Sequence, residues 1–425
     1  MGRSDVSAHP RDETWSDDER RAHQRVRLDA MLREILATNA FYRRKLGAHV
    51  SLDHWEALPF TTKSELSADQ AEHPPYGTAL TYPLQRYVRQ HQTSGTTGKP
   101  LRILDTAESW RWWQEQWHRV YRASGVTAAD RVFFAFSFGP FVGFWSAFAG
   151  AEALGALCIS GGAQTSAERL ATIVATEATV LLCTPTYALR LAEVAGDEGI
   201  DLTRSKLRVS IHAGEPGASI PATRERIESA LGVTAYDHTG ATEVGATGFS
   251  CEARDGVHLI ESEFKVEIVD PATGSAREEG EGELVLTNLG RWGSPVIRYR
   301  TGDRVHAVRG TCACGRTLVK LAGGIQGRVD DMVTVRGVNV FPSAIEGIVR
   351  RFAEIEEFRL EFHQERGMDA LRCTVEPRAG SDDGLATRVA DAIHRDVGIR
   401  CEVTVAAPGS LPRFEAKARR FIRLK

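Results

Sequence analysis

The octet Thr93-Ser94-Gly95-Thr96-Thr97-Gly98-Lys99-Pro100 gathers hydroxyls, glycines and one lysine into a composition suited to wrapping a polyphosphate. Glycine lets backbone N–H groups approach phosphate oxygens with no Cβ in the way, the hydroxyls add donors, and Lys99 supplies a mobile positive charge. It is not a Walker A loop. That motif needs four residues between its glycine and its Gly-Lys pair, then Ser or Thr, whereas Gly95 and Gly98 are closer together and Pro100 follows. The expected ligand is ATP, and the competing reading of the octet alone is an ordinary Gly/Thr turn.

Other polar clusters stand where apolar runs end. Tyr236-Asp237-His238-Thr239-Gly240-Ala241-Thr242-Glu243 follows an expected strand, and Glu243 suits Mg²⁺, a hard cation that prefers carboxylate and phosphate oxygens. Asp303, in Tyr299-Arg300-Thr301-Gly302-Asp303, can accept hydrogen bonds from ribose hydroxyls, and Arg328 opens a further polar run at a change of pattern. Each also has a plain reading: Glu243 as a surface acid, Asp303 as a turn residue, Arg328 as a salt-bridge partner. A second constellation is Cys251, His258, Cys312 and Cys314. Six residues separate the first two, and Cys312-Ala313-Cys314-Gly315 can present two thiolates to one ion. Four sulfur and imidazole donors suit a closed, structural Zn²⁺ site with no position left for water. The spacing departs from C-x₂-C, so four unrelated residues is the alternative.

These residues need a scaffold of some size. The chain has 425 residues, 42% hydrophobic and 26% charged, with a formal net charge of −3. That length predicts two or three domains, and the charge offers no bulk attraction to nucleic acid or anionic lipid. Gly2 to Arg21 is polar without an apolar core, which predicts no signal peptide and a cytoplasmic protein. Val6 stands where an N-myristoylation motif needs Ser or Thr, and no apolar run has membrane-spanning length, so no membrane partner is expected. Seven cysteines in so large a chain suggest thiols or metal ligands rather than a disulfide framework.

Periodicity predicts a helix from Asp17 to Leu46 and another from Glu108 to Ala123, with Trp110, Trp113 and Trp117 on one face as core or, alternatively, as ligand contacts. Strands are expected at Val132–Phe136, Ala156–Ile159, Val180–Cys183, Leu207–Ile211 and Val233–Tyr236, separated by helices. This is the pattern of right-handed βαβ units and a parallel sheet, whose ligands collect at the carboxyl ends of the strands. From Val257 to Val308 the pattern turns to closely spaced strands, a smaller antiparallel or barrel-like subdomain. After Arg328 it changes again, to strands at Thr334–Val340, Phe358–Phe362, Leu371–Val375 and Glu402–Val405 and helices at Ser343–Phe352 and Asp383–Val397. The fold class is therefore α/β, with a large domain over residues 1–329 and a small α+β domain over 330–425.

With those motifs in order, the chain resembles the adenylate-forming (AMP-binding) ligase superfamily and, within it, the phenylacetate-CoA ligase-like branch. The resemblance runs from Leu58-Pro59-Phe60-Thr61-Thr62-Lys63 through the octet, Ala213-Gly214-Glu215-Pro216, the run ending in Glu243 and Tyr299 to Asp303. It continues through Gly327 to Pro342, with Arg336-Gly337-Val338-Asn339-Val340, to Pro412-Arg413-Phe414-Glu415-Ala416-Lys417. It implies a two-step ligase that uses ATP and Mg²⁺. A carboxylate attacks the α-phosphate to give acyl-AMP and pyrophosphate, and a thiol then displaces AMP. By matching position, Thr93, Ser94, Gly95, Thr96, Thr97, Gly98 and Lys99 would hold the triphosphate. Gly214, Glu215, Pro216, Tyr236 and Asp237 would hold adenine, Thr242 the α-phosphate, Glu243 Mg²⁺, and Asp303 with Arg328 the ribose. Asp330 matches the hinge of a mobile C-terminal domain, and Lys417 the lysine that reaches the reacting centre during adenylation. Ala416 stands where the family usually has glycine. The acid pocket falls to Phe138, Phe141, His238, Thr239 and Gly240, and the phenylalanines around Phe133 to Phe148 suit a flat aryl acid. CoA is the expected acceptor. The alternatives are a stand-alone adenylation enzyme that loads a carrier protein or a nitrogen or oxygen nucleophile, and a non-catalytic binder of acid and ATP. Whether the chain forms a homodimer is left open.

Overall fold

The computed structural model describes residues 9–93, 100–331, 333–335, 338–365, 368–378, 384–414 and 420–424. The expected βαβ units are present. Strands Arg131–Phe134, Leu157–Ser160, Val180–Cys183, Val209–His212 and Thr234–Ala241 alternate with helices Val142–Leu154, Ser166–Ala175, Pro185–Asp197 and Pro221–Leu231. They pair in parallel, with Leu157–Ser160 at the outer edge and Thr234–Ala241 innermost. Local chemistry sets the helix ends. Thr165 and Glu168 form a reciprocal capping box, Thr184 caps a helix that starts on Pro185, and Gly155 and Gly232 end helices in the left-handed conformation.

The β-rich stretch expected from Val257 begins at Gly245, and it does not stand apart. Thr234 to Asp237 pair with Val209–His212, while His238 to Ala241 pair antiparallel with Gly245–Phe249 across a tight turn. One strand thus belongs to both halves, and a single 13-stranded sheet runs from the parallel edge to the antiparallel one. The turn at residues 242–244 lies at this switch.

The helix expected over Asp17–Leu46 is two, Asp17–Thr38 and Ala40–Leu46. Asn39 ends the first, and its side chain accepts the Tyr42 N–H to start the second. The helix Ala107–Ala123 buries Trp110, Trp113 and Trp117, and also Trp112, so the tryptophan stripe is core.

Leu28 to Leu321 supply one hydrophobic cluster and Val335 to Cys401 a second. The second cluster lies under a four-stranded sheet of Glu402–Val405, Met368–Pro377, Ile355–Glu365 and Phe421–Arg423, with helices Pro342–Val349 and Leu385–Val397. The single strand expected over Thr334–Val340 is a hairpin of Val333–Val335 and Val338–Val340. Among the described residues no helix is long and apolar enough to cross a membrane.

Candidate active site

Strands Tyr87–Gln92 and Arg102–Thr106 form a hairpin whose tip is the glycine- and threonine-rich octet. Residues 94–99, and with them Ser94, Gly95, Thr96, Thr97, Gly98 and Lys99, lie outside the described residues. The base of the loop is tied by Thr93: its N–H donates to Leu101 O at 3.0 Å, and its hydroxyl accepts Leu101 N–H at 3.1 Å. Thr93 therefore closes the loop.

Thr242 and Glu243 occupy the turn at the sheet's switch point. Glu243 is buried, with Lys63 Nζ 3.2 Å from one carboxylate oxygen. Burial pushes the pKa of the Tyr299 hydroxyl well up, and the Glu243 carboxylate adds to the rise. A guanidinium holds the turn from below. Arg291 is fully buried, its Nη1 donates to Thr242 O at 2.7 Å and Glu243 O at 3.2 Å, and Nε and Nη2 bind Asp105 at 2.7 Å each. Removing one partner of such a pair typically costs about 3–5 kcal/mol, because the other charge is left buried alone.

Of the residues assigned to adenine and ribose, Tyr236 and Asp237 lie within strand Thr234–Ala241 rather than after it, and Asp303 lies within strand Tyr299–Val308, which starts at Tyr299. Asp237 accepts from Ser219 N–H at 3.2 Å, from the Ser219 hydroxyl and from His238 N–H at 3.1 Å. Burial pushes its carboxyl up to about 6. Tyr236 beside it is half-buried. Gly214 has φ +94°, and Glu215 accepts the Thr186 N–H at 2.8 Å, which docks this segment on the start of the Pro185 helix. Asp303 and Arg328 face each other on paired strands, with Arg328 Nη1 3.4 Å from Asp303 Oδ1 and 3.1 Å from Thr301 O. Gly302, next to Asp303, has φ +77°, a backbone conformation that favours glycine, and a Cβ there would lie 2.4 Å from Arg328 Nη2 and push the guanidinium aside.

Of the acid-pocket residues, Phe138 packs with Phe148 and Trp145 at ring distances of 5.5 and 5.0 Å, while Phe141 is exposed. His238 is buried, its ring 4.3 Å from that of Trp117 and its Nδ1 2.7 Å from Gly248 O. Burial holds it down to about 4, so it is neutral at pH 7 and Nδ1 donates to Gly248 O. Thr239 O accepts the Thr247 hydroxyl at 2.9 Å, and a Cβ on Gly240 would stand 2.7 Å from Gly245 O.

Lys417 lies outside the described residues, which omit 415–419, but both flanks are anchored. Arg420 is buried, bonded to both Glu357 oxygens and, at 3.1 Å, to the hydroxyl of Thr186 on the Pro185–Asp197 helix. Arg413 binds Glu376 and reaches Glu193 at 3.3 Å. Glu193 also meets Glu356, and burial together with that second carboxyl pushes it up to about 7. Asp330 sits in the one-turn helix Val329–Asp331 between the two clusters.

The four donors of the sulfur–imidazole constellation lie within 4.8 Å of one another. Cys251 Sγ is 3.9 Å from Cys312 Sγ, and Cys314 Sγ is 3.6 Å from His258 Nε2. A tetrahedral Zn²⁺ with ordinary bond lengths would set these separations at about 3.8 and 3.5 Å. His258 Nδ1 lies 3.2 Å from Leu318 O, which orients Nε2 toward the thiols, and Lys320 Nζ is 3.9 Å from Cys312 Sγ.

Two family models match the chain: the AMP-binding enzyme family over residues 91–290 and the AMP-binding enzyme C-terminal domain over 337–425. The phenylacetate-coenzyme A ligase of Escherichia coli K12 is 34% identical, with 97% of each chain covered, and that of Pseudomonas putida is 33% identical over 96% of this chain and 94% of the relative. Among solved structures, a 2-hydroxyisobutyryl-CoA ligase in its postadenylation state with 2-HIB-AMP superimposes with TM-score 0.93 at 31% identity, covering 100% of this chain and 94% of that one. The same ligase with 2-HIB-AMP and CoA in its thioesterification state gives 0.73 at 32% identity, over 97% and 91%. The chain as a whole thus superimposes better on that ligase's postadenylation state than on its thioesterification state. From these matches, the chain belongs to the AMP-binding family of adenylate-forming ligases, in its phenylacetate-CoA ligase-like branch.

Proposed function

We propose that this enzyme activates an aryl carboxylic acid with ATP and passes the acyl group to CoA. In the first step the acid's carboxylate oxygen bonds to the α-phosphorus and the bridge to the β-phosphate breaks, which gives acyl-AMP and pyrophosphate. In the second, the CoA thiolate attacks the acyl carbon, the acyl–oxygen bond breaks and AMP leaves. The observation that carries this reading is the Thr242–Glu243 turn, with Glu243 buried, held by Arg291 against the hairpin that bears the phosphate loop.

In this reading residues 1–329 bind ATP and acid and residues 330–425 form the mobile domain. Gly214 to Pro216, Tyr236 and Asp237 contact adenine, Asp303 and Arg328 the ribose, Thr93 to Lys99 the triphosphate and Thr242 the α-phosphate. Glu243 offers hard carboxylate oxygens to Mg²⁺, which when bound neutralises phosphate charge. Phe138, packed among Phe134, Phe148 and Trp145, supports an aryl acid. CoA is favoured over a carrier protein because CoA ligases match over almost the whole chain. A cytoplasmic site of action agrees with that chemistry. Pyrophosphate release measured across benzoic, phenylacetic, fatty and short 2-hydroxy acids tests the reading, with the aryl acids expected to lead. No acid-dependent release with any of them would leave a non-catalytic binder.

The sulfur–imidazole cluster fits Zn²⁺ by donor type and spacing, with Cys251, His258, Cys312 and Cys314 as ligands. It joins the turn at Cys312 and Cys314 to His258 on strand Gly256–Leu259. One tightly held zinc per chain is expected, and it should be lost from Cys312→Ser together with several degrees of melting temperature, since structural zinc contributes directly to folding. Metal analysis of protein purified without added zinc decides this, and an empty wild-type site would remove the assignment.

A further inference from the structure

The phosphate-loop hairpin and the Glu243 turn lie far apart in sequence, yet one guanidinium grips both. Arg291 is fully buried and directs its two ends differently. Nε and Nη2 form a two-pronged pair with Asp105, which stands on the hairpin strand that returns from the loop, while Nη1 donates to the carbonyls of Thr242 and Glu243. The Trp113 ring lies 5.1 Å from the guanidinium carbon and fills the space on one face. A fork with fixed geometry is needed for this. Lysine carries the same charge but cannot reach a carboxylate with two parallel bonds and two carbonyls at once.

We propose that Asp105 and Arg291 are positioning residues that lock the Glu243 turn to the phosphate-loop hairpin, so that the triphosphate and its metal ion are held at a fixed distance from the α-phosphate contact. The pair touches no substrate; it acts through Thr242 and Glu243. The inference rests on the ATP-site reading given above. A purely structural pair would satisfy itself within the core, whereas this one directs its remaining donors at the backbone of the two residues assigned to phosphate and metal.

The test compares Arg291→Lys and Asp105→Asn with the wild type in four readouts. These are the Mg²⁺ and ATP concentrations for half-maximal pyrophosphate release, the KM for the acid, thioester formation from supplied acyl-AMP, and melting temperature. Loss of a residue that supports a metal ligand typically weakens metal affinity about 10- to 100-fold. The expected result is therefore a rise of about tenfold or more in half-saturating Mg²⁺, with acid KM and thioester formation near wild type. Asp105→Asn keeps one acceptor oxygen and gives the same readout if Arg291→Lys does not fold. A folded variant with a wild-type Mg²⁺ response would overturn the proposal, as would equal loss in every readout. Glu243→Gln serves as the control: if it too leaves the Mg²⁺ response unchanged, the ATP-site reading has failed rather than the tether.

Discussion

Lys417→Ala should lose acyl-adenylate formation by about a hundredfold or more, the usual consequence of removing a charge positioned for the transition state, while still converting supplied acyl-AMP and CoA to thioester. The first half-reaction develops negative charge on the α-phosphoryl oxygens and the attacking carboxylate, and little but positioning and charge neutralisation is available to stabilise it. Arg413 and Arg420 bracket the segment that carries Lys417, and each makes a polar contact with the large domain, to Glu193 and Thr186. In the present arrangement both ends of the segment are therefore held to the body that binds ATP. In the thiol step the proposed rotation of the C-terminal domain carries the lysine away from the reacting centre, so its loss is not expected to slow that step. Pyrophosphate release and thioester formation must be followed separately. Equal damage to both would sink the assignment.

The sequence carried the local grammar of this fold further than its long-range contacts. The parallel strands and their helices were readable because apolar runs, threonine caps and terminal glycines all act within a few residues of one another. The break at Asn39 was not, since the apolar pattern continues past it while the Asn39 backbone turns extended and its side chain caps the next helix at Tyr42. The joining of the two halves of the sheet was also hidden, because it depends on one eight-residue strand changing partners midway. At the site, Glu243, Asp303 and Arg328 stood out in motifs. Arg291 did not: its partner Asp105 is 186 positions away, and no local pattern marks either as buried. Arg420 was hidden for the opposite reason, in a run of basic residues that reads as a solvated tail until the Glu357 carboxylate is seen beside it. Lys63 lay within a motif, but its partnership with Glu243 becomes visible only when the chain is folded.

A proline at position 330 should separate the two half-reactions. The chain just before it is fixed to the large sheet, as Gly327 and Arg328 pair with Arg304 and Asp303. The second hydrophobic cluster begins at Val335, so any rotation of the small domain as a body must be taken up in the few residues between. The contacts that hold the two bodies in the present arrangement include polar ones: Arg420 to Thr186, Arg413 to Glu193, and Ser343 to Gln326 O. Such bonds can exchange for water, so the turn of the small domain is expected to fall on the backbone at the joint. Asp330 lies in the one-turn helix Val329–Asp331, whose φ range includes the value near −65° that proline imposes. Asp330→Pro is thus compatible with the arrangement seen here and opposes departure from it. Thioester formation is expected to slow much more than pyrophosphate release, and supplied acyl-AMP should not restore it, because the defect lies in reaching the second state. Wild-type rates for both steps would show that the pivot is elsewhere in the chain.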